Sequence, residues 1–249
     1  PFEGKQKLME HPECQEIEHC CKHAENYIGY KFFCDKFIDK LTDKGIVAKE
    51  SELCNDAVVV TKGGAVENLP GFSEGLFHVQ DIASQLCVKA LGIENDMRVI
   101  DVCAAPGGKS FTAAEYMNNT GELYSLDLYE HKIGLIRKSA ERLGINNLTS
   151  IVCNAKNPNI KFGKFDRVLC DLPCSGLGIL GKKPEIRYKD VAFLDILSDL
   201  QYDLLVKSSQ YCKVGGIVVY STCSLRKCEN KEIAEKFLKN NPDFEPYAI

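Results

Sequence analysis

The sequence predicts an α/β protein in which a doubly wound, mostly parallel sheet follows a small α/β extension. From about residue 79 onward, strand-like runs alternate with helical stretches, whereas the earlier residues lack this regular alternation. The turn-forming pair Pro70-Gly71 lies between the two patterns. We therefore place a domain boundary near residue 70, with the extension over 1–70 and the main domain over 71–249.

The extension is predicted to be mainly helical over residues 1–50. Apolar residues recur there at helical spacing, and Lys44-Gly45 is typical of a helix end. The spaced residues are Ile17, Cys20, Cys21 and Ala24, followed by Phe33, Phe37, Ile38 and Leu41. Residues 57–61 are predicted to form a strand that ends before Gly63-Gly64.

The main domain begins with a predicted helix over roughly 80–91. Five strands follow, at 99–103, 123–127, 150–153, 167–171 and 216–221. Helices are predicted at 108–117, 130–143, 191–212 and 228–240. Strands separated by helices indicate a parallel sheet covered on both faces, and such sheets bind ligands at the carboxyl ends of their strands.

Composition favours a cytoplasmic protein with reduced thiols. Hydrophobic residues make up 45% of the chain, but no apolar run reaches the roughly 20 residues that span a bilayer. The 13 cysteines are odd in number and include no pair of C-x-x-C motifs, so we expect neither a disulfide framework nor a metal site. The start lacks a secretory pattern and does not begin with Met, which indicates a processed or excised chain.

A small-residue turn follows the first strand of the main domain. It comprises Cys103, Ala104, Ala105, Pro106, Gly107, Gly108 and Lys109. Such a turn between strand and helix lets a ligand approach the backbone, although it matches neither a dinucleotide fingerprint nor a phosphate-binding loop. A tight turn without a ligand is the alternative.

The next two strands also end in polar residues. Asp127 lies 19 residues after Gly108, near the spacing at which an acid binds ribose hydroxyls, but it would also suit a helix cap. Asn154 after the third strand would bond a purine edge, or simply turn the chain.

Two cysteines follow the last two strands. Asp171 is followed by Pro173 and Cys174, and Cys223 follows Ser221-Thr222. A single cysteine is more often a small buried apolar residue, but two at strand ends in polar loops indicate a reactive site.

At these residues the sequence resembles the Sun-type family of RNA cytosine-5 methyltransferases, with most likeness to the bacterial ribosomal RNA small subunit methyltransferase B group. The matching segments are 77–85, 103–109, 171–176, 177–187 and 221–224, within a resemblance that covers roughly residues 65–245. It implies a Rossmann-like methyltransferase fold, S-adenosylmethionine as cofactor, and RNA, specifically ribosomal RNA, as partner. A monomer without membrane or metal partners is expected.

The resemblance also implies roles for individual residues. Residues 103–109 would hold the methionine part of the cofactor, Asp127 the ribose, and Asn154 the adenine, where the family usually has Asp. Asp171 would lie between cofactor and target base. Cys223 would attack the pyrimidine and Cys174 would assist its release. Residues 1–65 would match only the small α/β extension next to the core, an RNA-binding accessory, and would match poorly at 1–30. The helical domain that precedes the core in the bacterial enzymes has no counterpart, which indicates a truncated chain.

A basic segment after the second cysteine motif is the candidate RNA surface. Lys182, Lys183, Arg187 and Lys189 would contact phosphates, and Tyr188 would stack on a base. The alternative is an ordinary solvated loop. The net charge of −4 counts against a strongly basic nucleic-acid-binding domain but leaves room for a local positive surface.

Two other functions stay open from the residues alone. One is a methyltransferase of the same fold that acts on an amino nitrogen, since Asp171-Leu-Pro-Cys174 loosely resembles the loop of such enzymes. The other is a non-catalytic RNA-binding or assembly factor with a relic pocket, in which both cysteines would be dispensable.

Overall fold

A computed structural model describes residues 6–10, 17–21, 27–54, 57–62, 64–189 and 191–247. Side chains are described for those residues within 35–189 and 196–247. The strands are β1 Gln6–Glu10, β2 Ile17–Cys21, β3 Val47–Glu50, β4 Ala57–Lys62, β5 Phe77–Asp81, β6 Arg98–Asp101, β7 Glu122–Asp127, β8 Leu148–Val152, β9 Phe165–Asp171, β10 Cys212–Ser221 and β11 Phe244–Pro246. The α-helices are α1 Tyr27–Thr42, α2 Ile82–Lys89, α3 Gly108–Tyr116, α4 Glu130–Leu143, α5 Val191–Ser209 and α6 Lys231–Asn240.

The large sheet has the strand order β11-β1-β10-β9-β6-β7-β8. Every described pair of neighbours in it runs parallel. Parallel strands need crossover connections, and α3, α4 and α5 supply them along β6 to β10. The predicted doubly wound, mostly parallel sheet is confirmed.

Helices cover both faces of this sheet because successive strand residues point to opposite sides. Leu169 and Val219 pack with Phe111 of α3 and Ile133 of α4, in a core that also includes α2. Their strand neighbours Val168 and Val218 pack on the other face with residues of α5 and α6, including Leu204 and Phe237. Burial of each such side chain contributes roughly 1.5–3 kcal/mol.

The extension is built on a second, antiparallel sheet of order β3-β4-β2-β5. Helix α1 packs on it through Phe37 and Leu41, which are buried against Val58 and Phe77. The predicted strand at 57–61 and the predicted helix end at Lys44-Gly45 are confirmed to within two residues.

The helix predicted over the first residues of the extension is wrong. Residues 17–21 form β2, whose neighbours in the sheet are β4 and β5, and residues 6–10 form β1. The apolar spacing at Ile17, Cys20 and Cys21 fits a helix, but pairing with strands distant in sequence overrides that local pattern. Ala24 lies outside the described residues.

The boundary near residue 70 stays a prediction. Strand pairing crosses it in both directions. β1 precedes it and joins the large sheet, while β5 follows it and joins the small one. The predicted helix at 80–91 begins only at Ile82, since residues 77–81 form β5. Within the described residues no helix is both long and apolar enough to cross a membrane.

Candidate active site

The site forms where the chain reverses its direction across the large sheet. From β6 the chain moves outward through β7 and β8, then returns to β9 on the other side of β6. The carboxyl ends of β6, β9 and β10 therefore lie side by side, and such a switch point is the usual ligand crevice of an open α/β sheet.

Glycine is required at one position of the turn after β6 because neither the backbone conformation nor the neighbouring ring leaves room for a side chain. Gly107 has φ 112°, and a Cβ there would lie 2.3 Å from Cζ of Phe111. The amide of Gly107 donates to the carbonyl of Ala104 at 2.7 Å, and α3 begins at Gly108. The positive end of the α3 dipole thus faces the crevice, where it favours an anionic group such as a carboxylate.

Lys109 extends from this turn to the end of β9. Its ammonium donates to Oδ2 of Asp171 at 2.7 Å, and the hydroxyl of Ser221 donates to Oδ1 at 2.8 Å. Burial alone would lower the pKa of Lys109, but the Asp171 carboxylate beside it raises that pKa overall. The lysine is therefore charged and bonded to the acid, and its sequence-predicted contact with a cofactor remains a prediction.

Asp127 and Asn154 lie at the ends of the two strands beyond β6. Asp127 is buried, and its Oδ1 accepts from the amide of Tyr129 at 3.2 Å and lies 3.6 Å from the ammonium of Lys132. Asn154 Oδ1 accepts from the amide of Lys156 at 3.0 Å, which is the turn geometry that the sequence left open. Their roles toward a ligand stay predictions.

The two candidate cysteines meet in the crevice. The Sγ atoms of Cys174 and Cys223 are 3.0 Å apart, and the amide of Cys223 donates to Sγ of Cys174 at 3.2 Å. They converge because Asp171 and Ser221 are register partners at the ends of adjacent parallel strands, so that both loops leave the sheet in the same direction.

This contact divides the protons unequally between the thiols. The hydrogen bond from Cys174 lowers the pKa of Cys223 to about 7; burial and Asp171 act against this, and Lys109 supports it. The same hydrogen bond, followed by burial, raises the pKa of Cys174. Near neutral pH a large share of Cys223 is therefore thiolate, and Cys174 is a thiol that donates to it.

Three polar residues of this region had no role in the sequence prediction. Ser221 bonds Asp171, and its position inside a matching motif was the only signal available. Burial raises the pKa of Asp101 to about 7, and the hydroxyl of Ser110 donates to it at 2.8 Å. Glu229 is fully buried below the two cysteine loops, and nothing in its sequence context indicates this.

The predicted basic segment is exposed, but two of its four cations are bonded to other groups of the protein. Lys182 pairs with Asp81, and the ammonium of Lys189 donates to the carbonyl of Ser175 at 2.7 Å. Lys183 and Arg187 are exposed, and Tyr188 is 89% exposed. Groups of three or more His, Cys, Asp or Glu side chains suited to a metal ion do not occur within the described part of the chain.

Comparison with known sequences matches residues 88–249 to the family model described as 16S rRNA methyltransferase RsmB/F. The chain is 38% identical to the probable ribosomal RNA small subunit methyltransferase B of Bacillus subtilis, over 85% of this chain and 48% of the relative. It is 33% identical to the ribosomal RNA small subunit methyltransferase B of Pseudomonas putida, over 84% of this chain and 48% of the relative. The chain thus spans about half the length of these curated relatives, and the predicted resemblance is confirmed.

Solved structures share the architecture. PH0851 superposes with a TM-score of 0.83 at 28% identity, covering 93% of this chain and 52% of that one. A methyltransferase homolog protein from Pyrococcus horikoshii gives 0.77 at 27% identity, covering 92% and 71%. NSun6 from Pyrococcus horikoshii, solved with SFG, gives 0.76 at 18% identity over 91% of this chain and 81% of that one, and supports the fold alone.

Proposed function

Because the chain belongs to the 16S rRNA methyltransferase RsmB/F family, we propose that it methylates carbon 5 of a cytosine in small-subunit ribosomal RNA. The methyl donor is S-adenosylmethionine, and Cys223 is the nucleophile. The observation that carries the proposal is the 3.0 Å contact between the Sγ atoms of Cys174 and Cys223 at adjacent strand ends. The lowered pKa of Cys223 supports it.

The turn after β6 is suited to the carboxylate of S-adenosylmethionine. Gly107 leaves the turn without a side chain, and α3 directs its positive end to the place where residues 103–109 would hold the methionine part. Asp127, at the end of β7, would hold the ribose hydroxyls, and Asn154 would lie near the adenine. When bound, the cofactor supplies an electrophilic methyl group on a sulfonium.

Carbon 5 of cytosine is a poor nucleophile, and the thiolate of Cys223 overcomes this. Addition of the sulfur to carbon 6 makes carbon 5 electron-rich enough to accept the methyl group, which divides one difficult step into two. The target base must leave its stack to reach the crevice. A pKa of about 7 provides thiolate at neutral pH without a separate base.

Asp171 and Lys109 offset the charge that the addition moves onto the ring. Their shared proton is held on Lys109, and Ser221 fixes the other oxygen of the acid. We assign this ion pair to N3 of the ring, where a proton or hydrogen bond is needed as the thiolate adds.

Cys174 then assists release of the product. Its pKa is raised by the contact with Cys223, so it is protonated before the reaction. Once Cys223 has become a neutral thioether, that cause is removed, and Cys174 can release its proton to water. As a thiolate it then takes the proton from carbon 5, and the electron pair of that C–H bond re-forms the double bond between carbons 5 and 6. Elimination of Cys223 follows.

The exposed cations of the basic segment would bind the RNA backbone. Lys183 and Arg187 are suited to phosphate contacts, whereas Lys182 and Lys189 are already engaged within the protein. Tyr188 offers an exposed ring for stacking. The extension over 1–70 would act as an accessory to this surface.

The two competing functions leave the thiol pair unexplained. Methylation of an amino nitrogen needs no cysteine nucleophile, and a relic pocket needs no thiolate. Titration calorimetry with S-adenosylmethionine separates the relic from an enzyme, because a relic would release no heat of binding.

Two substitutions test the mechanism. Cys223→Ala should abolish 5-methylcytosine formation, and Cys174→Ala should accumulate a covalent protein–RNA adduct that survives a denaturing gel and mass spectrometry. Cys228→Ala, at a partly buried cysteine five residues from Cys223, is the matched control and should methylate normally. Full turnover by Cys223→Ala would end the proposal.

A further inference from the structure

We propose that Glu229 is a positioning residue that holds the two thiols against each other. The inference rests on the proposed roles of Cys174 and Cys223, and it assigns the residue that makes their contact possible. Glu229 ends a short 3-10 turn, Lys227–Glu229, and its side chain is 0% exposed.

One carboxylate contacts the residue that follows each cysteine. Oε2 of Glu229 accepts from the amide of Ser175 at 2.8 Å, and Oε1 accepts from the hydroxyl of Ser224 at 2.9 Å. The two serine hydroxyls are 2.8 Å from each other. Ser175 and Ser224 are 49 residues apart in sequence, so Glu229 joins two loops that have no local connection.

Further bonds hold the same two loops around this carboxylate. Gln201 of α5 donates to Oε2 of Glu229 at 3.1 Å and to the carbonyl of Pro173 at 2.9 Å. The amide of Gly178 donates to the carbonyl of Cys223 at 3.0 Å, and a Cβ at Gly178 would lie 3.0 Å from that oxygen. Cys174 is thus held on both sides, through Pro173 and Ser175.

The electrostatics indicate that the carboxylate is charged and fully engaged. Burial would raise the pKa of Glu229, but its hydrogen bonds from Ser175, Gln201 and Ser224 lower that pKa overall. A buried charge is tolerated only when it is hydrogen-bonded in this way. Since Glu229 has no accessible surface to meet a cytosine, it acts through the loops rather than on the substrate.

Loss of this carboxylate should separate the two thiols but leave the RNA-binding residues in place. A displacement of about 1 Å in reacting groups costs on the order of 10²-fold in rate. We therefore expect Glu229→Ala to lower kcat by about 10²-fold, with the KM for RNA within about threefold of the native value.

Glu229→Gln is the conservative variant that should restore activity. Its amide oxygen can still accept from Ser175, and its amino group can donate to the hydroxyl of Ser224, which then turns toward Ser175. We expect kcat within about fivefold of the native value. Glu235→Ala removes an exposed carboxylate of α6 and serves as the control.

Phenylarsine oxide provides a readout that does not depend on methylation. The trivalent arsenic binds two thiols at once, so its affinity reports whether the Sγ atoms of Cys174 and Cys223 remain close. Binding that disappears in Cys223→Ser is assigned to this pair. Glu229→Ala should weaken that binding at least about tenfold, while Glu229→Gln and Glu235→Ala should retain it.

The outcomes separate the two proposals. Native kcat in Glu229→Ala, or undiminished arsenical binding by it, would overturn the positioning role. Should Glu229→Ala lack native circular dichroism, Ser224→Ala takes its place, because it removes the hydroxyl that bonds Oε1 and Ser175 but leaves Oε2 bonded to Ser175 and Gln201. Native kcat and arsenical binding in that variant would also overturn the role. If the native chain forms no 5-methylcytosine, the proposed function fails, while arsenical binding still decides the role of Glu229.

Discussion

The hydrogen bond from Cys174 is expected to determine how readily Cys223 ionises. It is the largest cause that lowers the pKa of Cys223 from the ordinary 9.0 to about 7. Cys174→Ala removes this donor and leaves burial and Asp171, which raise the pKa, against Lys109, which lowers it. We therefore expect the pKa of Cys223 to return to the region of 9.

The size of the effect follows from the two pKa values. At pH 7 a thiol with a pKa of about 7 is about half ionised, whereas one near 9 is ionised to about 1%, a ratio of roughly 50. Reactivity requires the thiolate, so it rises with pH through the pKa, and the substitution should move that rise about two pH units upward.

Alkylation by iodoacetamide measures the ionisation directly. The rate at Cys223 is followed by peptide mass spectrometry from about pH 5.5 to about pH 9.5, and the inflection gives the pKa. The inflection is the better measure, because a thiolate of higher pKa is also intrinsically more nucleophilic and partly masks the loss in rate.

Cys174→Ser is the matched control, because its hydroxyl can still donate to the sulfur of Cys223. We expect its inflection to lie between those of the native chain and Cys174→Ala. An inflection that stays near pH 7 in Cys174→Ala would refute the reasoning, since the hydrogen bond from Cys174 would then have no effect on the pKa of Cys223.

Three further expectations concern the charges, the RNA surface and the cofactor turn. Lys109→Met should lower methylation by roughly 10²-fold because it removes the cation that shares a proton with the acid at the site, whereas Lys109→Arg should retain more activity, in a radiolabelled methyl-transfer assay. Lys183→Glu combined with Arg187→Glu should weaken RNA binding and reduce the slope of log affinity against log salt by about 1.4, measured by filter binding from low to high salt. Gly107→Ala should abolish detectable binding of S-adenosylmethionine in calorimetry, because its Cβ would overlap the ring of Phe111 and φ is 112°.

The strand ends of the main domain could be predicted because local pattern and topology agree there. The predicted strands at 123–127 and 167–171 end at the observed residues, and the predicted helix at 130–143 has the observed bounds. In a parallel sheet the carboxyl ends of all strands lie at the same end of the sheet, so the sequence predicted that Cys174 and Cys223 would lie there. In the structure their sulfur atoms are in contact.

The extension could not be predicted in the same way, because its structure depends on distant partners. Ile17–Cys21 is a strand because β4 and β5, about 40 and 60 residues later, pair with it. The spacing of apolar residues in such a short segment is compatible with a helix and a strand alike. Strand β1 depends likewise on β10, which lies more than 200 residues further along the chain.

The side-chain contacts of Lys109 and Glu229 could not be predicted from the sequence for a related reason. Lys109 belongs by motif to the cofactor turn, but its ammonium bonds Asp171, 62 residues away. Glu229 lies in a stretch of charged and polar residues, at the second position of the helix predicted over 228–240, where nothing indicates a buried side chain. Only the fold shows that it is buried, and burial is what makes its hydrogen bonds consequential.

The register of β9 against β10 connects the hydrophobic core to the chemistry. Val168 pairs with Val218, and further along the same strands Asp171 pairs with Ser221. A slip of one residue would turn the buried valines to the opposite face, so the core fixes this register strongly. The same register sets Ser221 beside Asp171 and starts both cysteine loops from one level of the sheet. Packing of the apolar residues on both faces of these two strands therefore helps to determine which sulfur faces which.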